Sequence, residues 1–361
     1  MSSAEAPLGQ QGLLALLRAR IRREGPLRLD TYMKMCLADP DHGYWSKAHV
    51  IGAEGDFITA PEISQVFGEI IGVWAAMTWQ RMGEPAALRL IELGPGRGTL
   101  MADALRAAAV LSSFLAAVRV HLIEISPTLR RTQQHMLAAA GLAVSWHARL
   151  GEVPPGPAIV IGNEFLDALP VRQLVFGERG WRERTVQLDG EGALQFGLGE
   201  VVAFQGHAPP RPGDVAELRS GEDAVLGDLA KRADAVVAAF IDYGPERAGY
   251  GDTLQAVQRH AYVDPLGEPG GSDITAHVQF TAFADKARAF GLAVDGPMTQ
   301  AEFFGRLGMV ERAARLMAAN PATAGQIEGA VQRLLAPAGM GSQFKVVIVR
   351  SPSLPSPAPF A

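Results

Sequence analysis

The chain has 361 residues, 48% hydrophobic and 20% charged, enough for one large or two ordinary domains with a full-sized core, which excludes disorder and a small cross-linked scaffold. A formal charge of −5, with no basic block longer than Arg18-Ala-Arg20-Ile-Arg22-Arg23, excludes a basic nucleic-acid footprint. The single cysteine, Cys36, excludes an internal disulfide and a cysteine-rich zinc site, and the lack of long apolar runs or a signal-peptide pattern points to a cytoplasmic protein without membrane insertion.

Leu13, Leu14, Leu16, Leu17 and Ile21 fall at helical spacing and predict an amphipathic helix over 11–21, stopped at Gly25-Pro26. A short helix from Asp30 as N-cap to Leu37 follows, then a polar loop through Asp39-Pro-Asp-His-Gly43. The nearly all-apolar stretch 63–82 predicts a long buried helix. Next come a strand over 88–93, the turn Gly94-Pro-Gly-Arg-Gly98 and a helix over 99–110. A strand over 118–125, a helix over 127–140, a weak strand over 143–146 and an apolar strand over 158–161 continue the series. This alternation predicts an α/β fold, a doubly wound parallel sheet covered by helices on both faces.

Between 171 and 202 the pattern changes to short alternating segments broken by Glu178-Arg-Gly180 and Asp189-Gly190, which read as hairpins. A helix over 221–232 and a strand over 235–241 resume the sheet, followed by a glycine-rich loop, helices around 278–290, 299–306, 308–319 and 323–335, and a last strand over 343–349. The expected organisation is an N-terminal helical region (1–85), a first core segment (86–170), a β-rich insertion (171–220), a second core segment with a helical cap (221–350, cap about 278–335) and a loose proline-rich tail (351–361).

Glu92-Leu-Gly94-Pro-Gly96-Arg-Gly98 lies between a predicted strand and a predicted helix. Glycines let backbone pass close to a ligand, and the helix start offers free N–H groups. The third glycine falls one place too early for the G-x-G-x-x-G dinucleotide fingerprint. The E-x-G-x-G-x-G form resembles instead the first motif of class I S-adenosylmethionine-dependent methyltransferases; the plainer alternative is an ordinary tight turn. Glu124, at the end of the second strand, is placed to accept both ribose hydroxyls of an adenosine cofactor, or to be a solvated strand cap.

Asn163-Glu164-Phe-Leu-Asp167 follows the fourth sheet strand, at the end where ligands of open α/β sheets bind. Glu164 and Asp167 can converge on a planar cation such as a guanidinium, and methyl transfer depends mainly on alignment and electrostatics. The alternative is an N-capping role. Thr59-Ala-Pro-Glu62 fits a capping box for the buried helix, which leaves Asp56 and Phe57 unexplained, and a Gly55-Asp56-Phe57 turn is placed to cover the cofactor. The eight histidines include no zinc-protease spacing, and neither a P-loop nor a serine nucleophile elbow occurs, so no metal is expected.

Several segments together resemble the MidA-like family of methyltransferases: Pro40-Asp-His-Gly-Tyr44, Gly55 through Gly68, Glu92 through Leu100, Asn163 through Pro170, Ile241-Asp-Tyr-Gly244, Gly251-Asp-Thr-Leu254 and Asp273-Ile-Thr-Ala-His277. The family includes a mitochondrial complex I assembly factor that methylates a protein arginine. The resemblance implies a class I S-adenosylmethionine-dependent methyltransferase core, a Rossmann-like doubly wound sheet with an N-terminal helical region, a β-hairpin insertion and C-terminal helical additions. It implies S-adenosyl-L-methionine as cofactor. It further implies symmetric dimethylation of an arginine on a hydrophilic-arm core subunit of NADH:ubiquinone oxidoreductase. The residues carried over are Gly94, Gly96, Gly98 and Glu124 for the cofactor, and the Gly55-Asp56-Phe57 and Asn163-Glu164 segments for the active cleft; together with the reading of the residues themselves, the expected cofactor site is Glu92, Gly94, Gly96, Gly98, Glu124, Gly55, Phe57 and Thr59, and the expected catalytic residues are Asn163, Glu164, Asp167 and Asp56. Competing readings are a non-catalytic assembly chaperone that keeps the cofactor fold, a small-molecule methyltransferase and an NAD oxidoreductase; the sequence leaves the oligomeric state open.

Overall fold

The computed structural model describes residues 8–47, 58–206, 208–232 and 235–361. Two compact units emerge. One combines the described residues of 1–57 with 168–223 and 248–277, and the other combines 58–167, 224–247 and 278–361.

The second unit holds a seven-stranded sheet: β1 (Leu88–Leu93), β2 (Val118–Ile123), β3 (Val144–His147), β4 (Ala158–Asn163), β5 (Val236–Tyr243), β6 (Ala293–Thr299) and β7 (Phe344–Arg350), in the spatial order β6-β7-β5-β4-β1-β2-β3. From β5 to β3 all neighbours are parallel, as the alternation predicts, while β7 runs antiparallel between β5 and β6 and makes the sheet mixed. Central strands buried on both faces need continuous apolar runs, as in Ala158–Asn163, where every residue is buried. Chain order reverses between β1 and β4, and the crevice beyond their carboxyl ends is where a doubly wound sheet binds ligand.

The apolar stretch before β1 is interrupted. Ser64, with an extended backbone (φ −154°), separates a short helix, Ala60–Ile63, from the long helix Gln65–Arg81, and its hydroxyl accepts the Val66 N–H at 3.2 Å. Thr59 precedes the short helix but makes no side-chain cap, so the expected Thr59/Glu62 capping box is replaced by a serine cap five residues later. The long helix packs against Thr99–Ala108 so closely that a Cβ on Gly72 would overlap the Ala104 backbone. Trp74, Phe67, Phe303 and Phe304 join the sheet's apolar face in one core.

Residues 351–361 do not form the loose tail expected. Ser351 is buried, the Trp74 indole donates to the Ala358 carbonyl at 2.9 Å, Arg81 donates to the Ser356 carbonyl, and Phe360 packs on Phe303.

In the first unit the helices Leu8–Glu24 and Leu29–Ala38 share a core with Val171 and the strand residues Val186, Ala256 and Ile274. The second helix begins at Leu29, and Asp30 sits inside its first turn instead of capping it. The expected hairpins are the strands Arg172–Gly177, Gly180–Leu188 and Leu194–Val201. They do not stand apart as an insertion: Leu27 pairs with Val186, which ties the N-terminal segment into the same antiparallel sheet. A three-stranded sheet (Gln255–Gln258, Ala261–Val263, Asp273–Thr275) completes the unit. The N-terminal region expected over 1–85 is thus divided, residues from Ile58 onward belonging to the unit with the large sheet.

Candidate active site

At the end of β1 the chain turns through Gly94, Gly96 and Gly98, all left-handed (φ 60°, 53° and 86°), a region that costs other residues about 1–2 kcal/mol. A Cβ on Gly94 would also sit 3.1 Å from the Phe165 ring. Gly98 caps the helix Thr99–Ala108 without a side-chain acceptor, leaving first-turn N–H groups for a ligand. Glu92 in β1 is buried, its Oε2 has no hydrogen-bond partner among the described residues, and burial pushes its pKa up to about 8.

Glu124 follows β2. Its Oε1 accepts the Ser126 N–H at 2.7 Å and its Oε2 accepts Gln133 Nε2 at 3.0 Å, so each oxygen keeps lone-pair capacity for one more donor. Burial raises its pKa, opposed by the hydrogen bond from Ser126 and then by that from Gln133.

Asn163 ends β4 and Glu164 begins the turn beyond it with a left-handed backbone (φ 48°), rare for a residue with a side chain and characteristic of functional turns. The Glu164 N–H is tied to the Ile241 carbonyl at 2.9 Å. Its Oε1 accepts the Ala60 N–H (3.0 Å) and Asn163 Nδ2 (3.1 Å), and Oε2 has no partner among the described residues. Burial, followed by the Asp167 carboxylate, pushes its pKa up to about 7. Asn163 Oδ1 is likewise buried without a partner among the described residues.

The turn is shaped by Asp242, at the end of β5 and fully buried. Its Oδ2 accepts the N–H groups of Phe165, Leu166 and Asp167 at 2.9–3.2 Å, and its Oδ1 accepts that of Tyr243 at 2.9 Å. Burial and then the Asp167 carboxylate hold its pKa well above the usual carboxylate range. Asp242 thereby fixes the turn that carries Glu164 and Asp167. Glu62, expected to cap a helix, instead accepts Thr99 Oγ1 (2.5 Å) and Arg97 Nη1 (3.2 Å), fastening the short helix to the glycine turn.

The structure therefore brings together Glu92, Gly94, Gly96, Gly98, Glu124, Asn163, Glu164 and Asp167 at the carboxyl ends of β1, β2 and β4. Thr59 stands one residue before the Ala60 N–H that Glu164 binds. Gly55, Asp56 and Phe57 lie outside the described residues. Sequence reasoning assigned no role to Gln133 or Asp242, whose partners are far along the chain. No group of three or more metal-ligating side chains occurs among the described residues.

A sheet that reverses at a glycine turn, carries an antiparallel next-to-edge strand and places acidic residues near the end of β1 and directly after β2 and β4 defines the class I methyltransferase fold. Residues 70–298 match the family model described as S-adenosyl-L-methionine-dependent methyltransferase. The chain belongs to that family and is a methyltransferase that uses S-adenosyl-L-methionine. Among curated proteins it is 35% identical, over 95% of its length and 86% of the relative's, to the mitochondrial "Protein arginine methyltransferase NDUFAF7 homolog" of Drosophila melanogaster. The Homo sapiens "Protein arginine methyltransferase NDUFAF7, mitochondrial" is 32% identical, covering 92% of this chain and 82% of that protein. A crystal structure of a superfamily member from Burkholderia thailandensis, bound to S-adenosyl-homocysteine, superposes with a TM-score of 0.86 at 30% identity, covering 97% of this chain and 95% of that one.

The residues present fit this cofactor. The buried acceptors without partners among the described residues, Glu92 Oε2 and Asn163 Oδ1, lie on the adjacent strands β1 and β4 and suit the ammonium of its amino-acid end. Glu124 retains acceptor capacity for a ribose diol.

Proposed function

We propose that this methyltransferase modifies a protein, transferring the methyl group to a guanidinium nitrogen of an arginine side chain. When bound, S-adenosyl-L-methionine supplies an electrophilic methyl on a sulfonium sulfur, and the thioether departs as that bond breaks. Glu92 and Asn163 hold the amino-acid end of the cofactor, Gly94, Gly96 and Gly98 admit it to the helix start, and Glu124 holds the ribose. Thr59 borders the site. Glu164 Oε2 binds the target guanidinium, orients the attacking nitrogen and takes the proton that nitrogen releases; Asp167 adds negative charge beside it.

The observation that carries this reading is the left-handed, doubly anchored Glu164, which presents one oxygen without a partner among the described residues at the ligand end of the sheet. That the relatives are named protein arginine methyltransferases supports arginine as the target. Asp56, with Gly55 and Phe57, belongs to the proposal on sequence grounds alone. The candidate substrate is a hydrophilic-arm core subunit of NADH:ubiquinone oxidoreductase, as the sequence resemblance implies. The test incubates recombinant subunits with enzyme and methyl-labelled cofactor: label in arginine supports the proposal, and label only in small molecules of a metabolite extract replaces it with a metabolite methyltransferase.

A further inference from the structure

Gln133 lies on the helix Pro127–Leu137, fully buried, and is the meeting point of three parts of the cofactor site. Its Nε2 donates to the Gly96 carbonyl at 2.8 Å and to Glu124 Oε2 at 3.0 Å, and its Oε1 accepts the Trp146 indole N–H at 2.8 Å. Both amide donors and the carbonyl are therefore used, which fixes the orientation of the amide. Trp146 comes from β3, Glu124 from the end of β2 and Gly96 from the turn after β1, so a single side chain joins the ends of three consecutive strands.

We propose that Gln133 is a positioning residue for the cofactor: it sets the Glu124 carboxylate and the Gly96 backbone in a fixed relation, so that ribose and amino-acid ends are gripped in register. The inference rests on the reading of Glu124 as the ribose acceptor. Its physical basis is rotational freedom. A glutamate whose second oxygen lacked the Gln133 donor would be held only by backbone N–H groups of its own turn, Ser126 and Ile125, and would have to be ordered further by the ligand, at the ligand's expense. Trp146 prevents the amide from turning over, since the inverted amide would set an NH₂ against the indole N–H and a carbonyl against a carboxylate.

The test is a double-mutant cycle read by titration calorimetry with S-adenosyl-homocysteine on the full chain, using wild type, Gln133→Met, Glu124→Ala and the double variant, each with its melting temperature measured without ligand. Gln133→Met is expected to weaken binding about tenfold, the scale of one hydrogen bond to a charged group. In the Glu124→Ala background the same change should cost about threefold or less, and the 2′-deoxyribose analogue should show the same reduced sensitivity. Equal losses in both backgrounds, or wild-type affinity in Gln133→Met, would overturn the positioning role. Should Gln133→Met not fold, Trp146→Phe frees the amide while leaving Gln133 in place, and its loss of affinity must likewise shrink when Glu124 is absent. A wild type that fails to bind S-adenosyl-homocysteine would instead remove the cofactor reading on which the inference stands.

Discussion

Replacing Glu164 by Gln tests the proposed chemistry with little disturbance of the fold. The amide oxygen of glutamine can keep the hydrogen bonds from Ala60 N–H and Asn163 Nδ2, so the turn should survive and affinity for S-adenosyl-homocysteine should stay within about threefold. What is lost is the anionic Oε2. A hydrogen bond to a charged group contributes about 1.5–3 kcal/mol, and a positioned proton acceptor about 10²–10⁴-fold in rate, so label transfer to a protein arginine should fall by at least about 10²-fold. The wild type should also show kcat/KM rising with pH and levelling above about 7, because a neutral Glu164 cannot hold the guanidinium. That limb should vanish in the glutamine variant. Turnover retained within a few fold, or loss of cofactor binding in parallel with turnover, would refute the assignment.

Glu92 makes a prediction about stability and pH. Its folded pKa, about 8, lies above its ordinary 4.5, so the protonated form favours folding below 4.5 and that contribution, roughly 3–5 kcal/mol at most, is lost as pH rises through about 8. The ligand-free melting temperature should therefore fall between pH 6 and 9, less so in Glu92→Gln, and wild-type binding of S-adenosyl-homocysteine near pH 7.5 should release protons, seen as a buffer-dependent heat absent from the variant. Asp242→Ala strands four backbone donors and should destabilise by about 3 kcal/mol or more in denaturant melts, whereas Asp242→Asn, which keeps one oxygen, should cost less. Gly94→Ala forces a left-handed alanine against Phe165 and should weaken S-adenosyl-homocysteine about tenfold or more by calorimetry. Deleting residues 351–361 exposes Trp74 and removes the Phe360–Phe303 contact, and should lower the melting temperature by several degrees.

The strands β1, β2, β4, β5 and β7 were legible because each is a short apolar run, as a doubly covered strand must be. β6 was not: Ala293–Thr299 contains Asp295 and Gly296-Pro297 and is only partly buried, so it has neither an apolar run nor clean alternation. The small sheet of the first unit escaped for the same reason, its strands being three or four residues long and set among glycines. The site was legible where chemistry is local. Three glycines after a strand state their backbone requirement in the sequence, and an acidic residue after β4 is a candidate by position. Gln133 and Asp242 were illegible as functional residues because each acts through partners that only the fold brings near. Thr59 and Glu62 show the converse: a local pattern with a good physical rationale gave way to the tertiary bonds from Glu62 to Thr99 and Arg97, and Ser64 took over the cap.

The most direct test of the central claim is amino-acid analysis of a recombinant hydrophilic-arm core subunit after incubation with this enzyme and methyl-labelled S-adenosyl-L-methionine. Label recovered as methylated arginine, and absent when Glu164→Gln replaces the wild type, is the predicted result. An unlabelled subunit beside a wild type that binds S-adenosyl-homocysteine would contradict the proposed substrate, and labelled arginine at undiminished levels with Glu164→Gln would contradict the proposed site.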